Sequence, residues 1–209
     1  MDETKQNHDS ASKQEFVSRL RQGDRSAFRK LVETYQDKVY NLGLKILWNR
    51  EDAEDVLQET FLKVVDKIDS FREESDIGTW IYRIATNAAL MKLRERRRQR
   101  GHLADLAEVD NHDIKPTRLA PDAPNPFDEL LQKESREILE KAIDALPDIY
   151  RVVFVLKDIE NLSTDEIAQI LGLTHEAIYS RLKRARMQLR EAVLAAYKEK
   201  EGARNYVMS

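Results

Sequence analysis

The sequence is poor in residues that cross-link a chain or interrupt helices, with no cysteine, six glycines and five prolines among 209 residues. The absence of cysteine excludes disulfides and thiolate metal sites, and it fits a cytoplasmic protein. No apolar run approaches the roughly 18–20 residues that a membrane-spanning helix needs. The polar N-terminus lacks the apolar segment of a signal peptide. We therefore expect a cytoplasmic protein without membrane insertion.

Signatures of catalysis are missing as well. The sequence has no glycine-rich phosphate loop and no group of His or acidic residues at metal-ligand spacing. The carboxylates between Glu51 and Glu59 follow one helix without converging carbonyl groups, which favours a solvated or protein-binding face over a cation site. We therefore expect that the protein is not an enzyme and that it binds neither a cofactor nor a metal. The histidines are far apart and are expected to be solvent-exposed: His8, His102, His112 and His175.

Charge limits the kind of nucleic-acid binding that is possible. The 35 Lys and Arg residues are balanced by 38 Asp and Glu residues, for a net charge of −3. A net-acidic chain is not a general nucleic-acid coat. A basic segment must therefore bind DNA locally, or the acidic surface must face another partner.

Apolar residues recur at intervals of three and four, which predicts an all-α fold. The pattern stops between Gly101 and Pro126, where prolines lie among acidic residues, so this stretch is predicted to be a linker. We expect two small helical bundles joined by a flexible, acidic, Pro-containing linker, with a helix-turn-helix in the second bundle. The predicted segments are a disordered N-terminus at 1–11, a first bundle at 12–100, the linker at 101–126, a second bundle at 127–196 and a polar tail at 197–209.

The strongest local signal is the stretch from Ser163 to Arg190. Ser163 and Glu166 form a potential capping box, Gly172 can end the first helix, and Thr174 can cap a second one. A short helix, a glycine turn and a basic second helix are typical of a DNA-binding helix-turn-helix, although an ordinary helical hairpin with a solvated basic face has the same pattern. The polar face of the second helix carries Tyr179, Ser180, Arg181, Lys183, Arg184 and Arg186.

Three segments together resemble bacterial sigma factors of the extracytoplasmic-function (ECF) type, in the sigma-70 family: Asp52–Val64, Thr79–Ala89 and Ser163–Arg190. They occur in the family's order, and the resemblance extends from about Ala27 to Arg190. It implies a protein that binds core RNA polymerase, directs it to promoters with −35 and −10 elements, and promotes promoter melting.

The resemblance assigns roles to the first bundle. Asp55, Gln58 and Glu59 are the expected contacts to a coiled coil of the β′ subunit, where charge complementarity guides docking. An unpaired −10 base needs a pocket that compensates its unstacking, and the amide of Asn87 can both donate to and accept from a base edge. The remaining −10 residues are Phe71, Arg72 and Ser75 in the pocket, and Arg94, Arg96, Arg97 and Arg98 on phosphates. We expect Trp80 to lie in the core. For Tyr82 the sequence allows either a core position or a role as a stacking platform.

In the second bundle the resemblance implies a reader of the −35 element. The sequence departs from the family pattern at Tyr179, where Lys or Arg is usual, and at His175 and Glu176, where small residues are usual. Glu176 suits a helix N-terminus but repels phosphate, so the −35 preference is expected to be unusual. The expected base contacts are Tyr179, Ser180, Lys183 and Arg184, and the expected phosphate contacts are Arg181 and Arg186.

The implied partners are core RNA polymerase, through the β′ coiled coil and the β subunit, promoter DNA, and an anti-sigma factor that can hold the protein at the membrane. The acidic linker is either a mimic of nascent RNA in the polymerase channel or a passive tether. Two other functions fit the residues: a conventional helix-turn-helix regulator with an N-terminal dimerisation or sensor module, and a helical adaptor that does not bind DNA.

Overall fold

The structure, a computed structural model, describes residues 3–103 and 137–207. All regular elements within these ranges are helical, which confirms the all-α class. The described residues also contain a 3₁₀ turn at Ile68–Ser70 and a π-helical turn at Val155–Ile159. The helices are α1 (Glu3–Arg21), α2 (Arg25–Leu47), α3 (Arg50–Lys67), α4 (Ile77–Leu103), α5 (137–144), α6 (Asp148–Phe154), α7 (Thr164–Leu171) and α8 (His175–Val207).

Cap residues set the starts of α2 and α3. The Asp24 carboxylate accepts from the backbone N–H groups of Ser26 and Ala27 at the start of α2. The Asn49 side chain accepts from the N–H of Asp52 at 2.9 Å and starts α3. Each of these contacts satisfies an N–H group that has no partner within its helix.

The helix-turn-helix is confirmed in its local geometry. Ser163 and Glu166 form the reciprocal capping box at the start of α7. Gly172 ends that helix with φ +64°, in the left-handed region that glycine adopts without steric cost. The Thr174 hydroxyl then accepts from the N–H of Ala177 at 3.2 Å and caps α8.

Three helices are longer than the sequence indicated. α1 begins at Glu3 rather than after a disordered segment, because residues 3–11 contain no glycine or proline to stop it. α4 continues through Gly101 to Leu103, and α8 continues through the polar tail to Val207. A single glycine costs a helix only about 1 kcal/mol relative to alanine, so it does not end one by itself. The rest of the predicted linker, residues 104–126, lies outside the described residues.

The first bundle packs α2, α3 and α4 around one core. α2 and α3 approach closely at Gly43, where an added Cβ would lie 3.4 Å from the Ala53 Cα, in ordinary contact. The fully buried side chains of this core include Leu31, Val39, Leu42, Ile46, Val56, Val64 and Ile81.

The two bundles are in direct contact, which the sequence did not reveal. α4 packs against α7, and one continuous apolar cluster contains Ala85 of α4 together with Leu156 and Ile167 of the second bundle. Trp48, at the end of α2, packs on a smaller cluster formed by α5 and α8. We call this arrangement, in which the two bundles pack against each other, closed.

Asp24 should make stability depend on pH. Its carboxylate accepts from Arg19 Nε at 2.7 Å, and this contact, followed by the Ser26 N–H, lowers its pKa from 3.8 to about 2. Because the folded pKa lies below the ordinary value, the carboxylate stabilises the fold above about pH 4, and the stabilisation is lost as pH falls towards 2. Asp24→Asn keeps a capping oxygen but no charge. We expect its Tm to lie below that of the wild type at pH 5 and to approach it at pH 2. An equal difference at both pH values, measured by circular dichroism, would contradict this role.

Candidate functional site

One side of α3 carries the three residues expected to contact polymerase. Asp55, Gln58 and Glu59 follow each other at helical spacing and are at least partly exposed. The Asp55 carboxylate accepts from Lys92 Nζ at 2.6 Å, and this hydrogen bond raises the pKa of the lysine. Glu59 pairs with Lys63 on the same helix. Both acidic groups are thus held in place at the surface.

Two apolar side chains extend this acidic side, and the sequence analysis missed them. Leu62 is 72% exposed and Val65 is 56% exposed, one and two turns beyond Gln58. Large exposed apolar residues beside charged ones are typical of an interaction site. A helical projection would have shown them, because Leu62 lies three residues from Glu59 and away from the buried positions. We call Asp55, Gln58, Glu59, Leu62 and Val65 the α3 face.

The outer side of α4 forms a second continuous surface. The exposed residues lie one turn apart, so they form a single stripe along the helix. Arg83 belongs to it although it was not singled out in the sequence; its position four residues before Asn87 is the signal that was overlooked. We call the set the α4 stripe, which consists of Arg83, Asn87, Met91, Arg94 and Arg98.

The structure separates the predicted base pocket into two parts. Arg72 is exposed and Ser75 is half-buried in the loop before α4. Asn87 lies about 15 Å further along the helix axis from Ile77, at 1.5 Å per residue. The loop and Asn87 therefore lie at separate points of an extended surface rather than on the walls of one small pocket.

Phe71 does not line the base pocket, contrary to the expectation from the sequence. Its side chain is only 4% exposed, and its ring centroid lies 5.1 Å from that of Trp80. The 3₁₀ turn before it directs the ring inward, so Phe71 is a core residue that supports the loop and presents no surface to a base. Trp80 packs against the core as expected, and Tyr82 is buried as well, which leaves it unavailable as a stacking platform.

The arginines at the basic end of α4 differ in exposure. Arg94 and Arg98 are exposed, whereas Arg96 is half-buried, pairs with Asp52 and donates to the Leu47 carbonyl at 2.9 Å. Arg96 therefore joins α4 to α2 and α3 and is not a free phosphate contact. The side chain of Arg97 lies outside the described residues.

On α8 the predicted base contacts share an exposed side. Tyr179 is 59% exposed, and Ser180, Lys183 and Arg184 are exposed beside it, with the Arg184 guanidinium 3.3 Å from the Tyr150 hydroxyl. Opposite them, buried apolar residues fix the helix in the second bundle. These residues are Ile178, Leu182, Ala185 and Leu189.

The two expected phosphate contacts on α8, Arg181 and Arg186, differ in exposure and in their partners within the fold. Arg186 donates two hydrogen bonds to the Asp158 carboxylate, at 2.6 and 2.8 Å, so it ties α8 to the π-helical turn. Arg181 is only partly exposed. His175 is exposed as predicted but has a partner, because its Nε2 lies 2.9 Å from Asp165 Oδ1. This contact joins the first turns of α7 and α8.

Within residues 3–103 and 137–207 no group of His, Cys, Asp or Glu side chains is arranged to hold a metal ion. In the same part of the chain no helix combines the length and apolar character of a membrane span.

Known proteins resemble this chain over both bundles. Residues 31–99 match the Sigma-70 region 2 family and residues 136–189 match the Sigma-70, region 4 family. The chain is 34% identical over 175 residues to the ECF RNA polymerase sigma factor SigW of Bacillus subtilis, covering 84% of this chain and 93% of that one. It is 37% identical over 181 residues to the ECF RNA polymerase sigma-E factor of Haemophilus influenzae, covering 86% and 94%.

The chain belongs to the ECF sigma factors.

Two solved structures share the fold of this sigma factor. One is the sigma factor RpoE in complex with the anti-sigma factor NepR from Bartonella quintana, with a TM-score of 0.62, 23% identity, and coverage of 79% of this chain and 96% of that one. The other is CnrH in complex with the cytosolic domain of CnrY, with a TM-score of 0.61, 24% identity, and coverage of 88% and 97%. In this sigma factor the region 2 match contains the α3 face and the α4 stripe up to Arg98, and the region 4 match contains the exposed side of α8.

Proposed function

We propose that this sigma factor binds core RNA polymerase through the α3 face, directs it to promoters with −35 and −10 elements, and promotes melting of the −10 element. The observation that carries the proposal is the presence of an acidic-apolar face and two separate basic surfaces on one chain that matches both sigma regions. In this role the chain supplies recognition and the polymerase supplies the chemistry.

The α3 face suits a docking site for a basic, partly apolar partner. Its carboxylates guide the approach and fix the register, whereas Leu62 and Val65 supply apolar area that becomes buried on binding. Two large aliphatic groups next to each other are unfavourable on a helix side that only contacts water. We assign this face to the β′ coiled coil of the polymerase.

The α4 stripe suits single-stranded DNA at the −10 element. Arg83, Arg94 and Arg98 are spaced along it and can neutralise phosphates along the strand, which gives affinity without sequence information. Asn87 lies between these arginines, where its amide can pair with the edge of an unstacked base. Arg72 and Ser75 extend the surface towards the start of the helix.

The exposed side of α8 suits duplex DNA at the −35 element. Tyr179, Ser180, Lys183 and Arg184 reach outward from a helix whose other side is buried, as in other helix-turn-helix readers. A tyrosine at the centre favours contact with a thymine methyl or a sugar over the guanine contact that an arginine makes. The −35 sequence should differ accordingly from that of relatives with a basic residue there.

Regulation by an anti-sigma factor belongs to the same proposal. One structural neighbour, RpoE, is described in complex with the anti-sigma factor NepR, and the other, CnrH, is described in complex with the cytosolic domain of CnrY. We propose that a protein of this class also binds this chain, that the sigma factor acts in the cytoplasm, and that its inhibitor can retain it at the membrane. A conventional helix-turn-helix regulator is less favoured, because the region 2 match accounts for the N-terminal bundle as a polymerase- and promoter-binding unit.

Reversing one charge on the α3 face should weaken polymerase binding. We expect Glu59→Lys to raise the Kd for core polymerase about tenfold, because it places a cation opposite the basic partner. The measurement is a titration of fluorescently labelled sigma factor with core polymerase. Asp37→Lys makes the same charge reversal on an exposed residue of α2 and serves as the matched control. An unchanged Kd for Glu59→Lys, or an equal loss for both variants, would remove the α3 face from the interface.

A further inference from the structure

One carboxylate connects the two bundles. Glu160 follows the π-helical turn of the second bundle, and its side chain is only 12% exposed. Its Oε1 accepts from Lys45 Nζ of α2 at 2.7 Å, and its Oε2 accepts from the Tyr82 hydroxyl of α4 at 3.0 Å. Both oxygens are thus occupied by groups of the first bundle, on two different helices.

The surroundings make this contact depend on closure. Tyr82 is 8% exposed, and burial together with the Glu160 charge raises the pKa of its hydroxyl. A tyrosine hydroxyl is protonated at neutral pH even at its ordinary pKa, so it donates to Glu160. Nearby, Arg151 of α6 donates to the Ile46 carbonyl of α2 at 3.1 Å. If the bundles separate, Glu160 loses both Lys45 and Tyr82, while the helices that carry these residues can remain intact.

The closed molecule is too small for the proposed promoter contacts. The −10 and −35 elements are about 20–25 base pairs apart, which is about 70–85 Å along duplex DNA at 3.4 Å per base pair. A compact body of about 170 residues has a radius of gyration of about 15 Å and is about 40 Å across. Even α8, the longest of the described helices, is only about 50 Å long at 1.5 Å per residue. The α4 stripe and the exposed side of α8 cannot reach both elements at once in this arrangement. The chain between Leu103 and residue 137 permits separation up to roughly 110 Å by its covalent length.

We propose that Glu160, held by Lys45 and Tyr82, is a latch that keeps the free sigma factor closed and opens when polymerase and promoter engage both bundles. This need for opening rests on the proposed function, whereas the latch itself is a property of the free chain. Because closed molecules do not bind, the apparent affinity for polymerase falls as the fraction of closed molecules rises. Weakening the latch should therefore strengthen polymerase binding, the opposite of the effect of Glu59→Lys.

The latch can be tested in the free protein by single-molecule energy transfer. Because the chain has no cysteine, cysteines introduced at the exposed residues Glu33 and Arg190 accept dyes selectively, one on each bundle. We expect a single high-efficiency population for the wild type, and a rise of about tenfold in the low-efficiency fraction for Glu160→Lys, which places two cations together. Glu191→Lys makes the same charge change on an exposed residue of α8 and should match the wild type.

Two further variants keep the result interpretable. Combining Lys45→Glu with Glu160→Lys restores opposite charges and should return the high-efficiency population. Tyr82→Phe removes a single hydroxyl and should open a smaller fraction, about threefold above the wild type, with unchanged helical circular dichroism. Identical distributions for the wild type, Glu160→Lys and Tyr82→Phe would overturn the latch.

Adding core polymerase distinguishes the latch from the proposed function. We expect polymerase with promoter DNA to convert the wild type to low efficiency, and Glu160→Lys to bind polymerase about three to ten times more tightly. A protein that binds polymerase and promoter yet keeps high efficiency would contradict the opening. A protein that does not bind polymerase at all would contradict the proposed function, while the result for the free chain would still decide the latch.

Discussion

Replacing Asn87 by alanine will reduce promoter opening by at least about tenfold and leave the affinity for core RNA polymerase unchanged. Asn87 is exposed in the middle of the α4 stripe, so its side chain is not needed for the fold. Its amide offers one donor and one acceptor to a base edge, and a bidentate contact of this kind contributes about 1–3 kcal/mol to base discrimination. Alanine removes both groups. The extracted base then loses the hydrogen bonds that offset its unstacking.

The experiment compares opening and binding on the same samples. Opening is followed by the fluorescence of 2-aminopurine placed in the −10 element, and binding is followed by titration of the labelled protein with core polymerase. Asn41→Ala makes the same substitution at an exposed residue of α2 and should match the wild type in both assays. Normal opening by Asn87→Ala, or a loss of polymerase binding, would overturn the role assigned to Asn87.

Replacing Arg151 by methionine will lower the free energy of unfolding by about 2–4 kcal/mol. The Arg151 side chain is only 7% exposed, and it donates to the carbonyls of Ile46, Asp144 and Leu146 and pairs with the Asp144 carboxylate. Methionine fills a similar volume but donates no hydrogen bond. Several carbonyl groups in a water-poor region then lose their partner. The loss affects the closure of the second bundle and its contact with α2 together.

Urea unfolding followed by circular dichroism measures this effect. Arg151→Lys keeps the charge but cannot reach several carbonyls at once, because it lacks the planar fork of the guanidinium. We expect an intermediate loss of stability for lysine. Arg190→Met, the same change at an exposed residue of α8, should stay within about 0.5 kcal/mol of the wild type. A loss below 1 kcal/mol for Arg151→Met would show that the buried guanidinium contributes little.

The features that could be predicted from the sequence are those that depend on neighbouring residues. Ser163, Glu166 and Gly172 lie within ten positions, and their capping and turn geometry follows from local hydrogen bonds and the conformational freedom of glycine. The same holds for Asp24 and Asn49 at the starts of α2 and α3. These local signals were sufficient for the helix-turn-helix and for the all-α class.

The features that could not be predicted depend on partners far away in the chain. Arg96 pairs with Asp52 and Arg186 pairs with Asp158, and neither partner was foreseen from the sequence. A sequence shows that an arginine lies on a polar helix side; it does not show which carboxylate of another helix lies opposite. Phe71 was misplaced for a similar reason, since its burial depends on Trp80 and on the turn before it.

The closed arrangement is the largest feature that the sequence left undetermined. Glu160 and Tyr82 are 78 positions apart and Glu160 and Lys45 are 115 apart, so no periodic pattern relates them. Each bundle could be recognised from its own apolar stripes, but the contact between them depends on complementary surfaces of two finished units. This is also where the structure adds most to the functional account, because closure conflicts with simultaneous contact to both promoter elements.

The most direct test of the account is in vitro run-off transcription with core RNA polymerase on a library of promoter sequences randomised around the −35 and −10 positions. We predict that the chain alone binds duplex DNA weakly, and that chain and polymerase together select a defined pair of elements and start transcripts at a fixed distance from them. Two weak contacts on one chain act together through their effective concentration, so selection should need both bundles and the polymerase. Tight, sequence-specific duplex binding by the chain alone, with no promoter-specific transcript from any member of the library, would contradict the account.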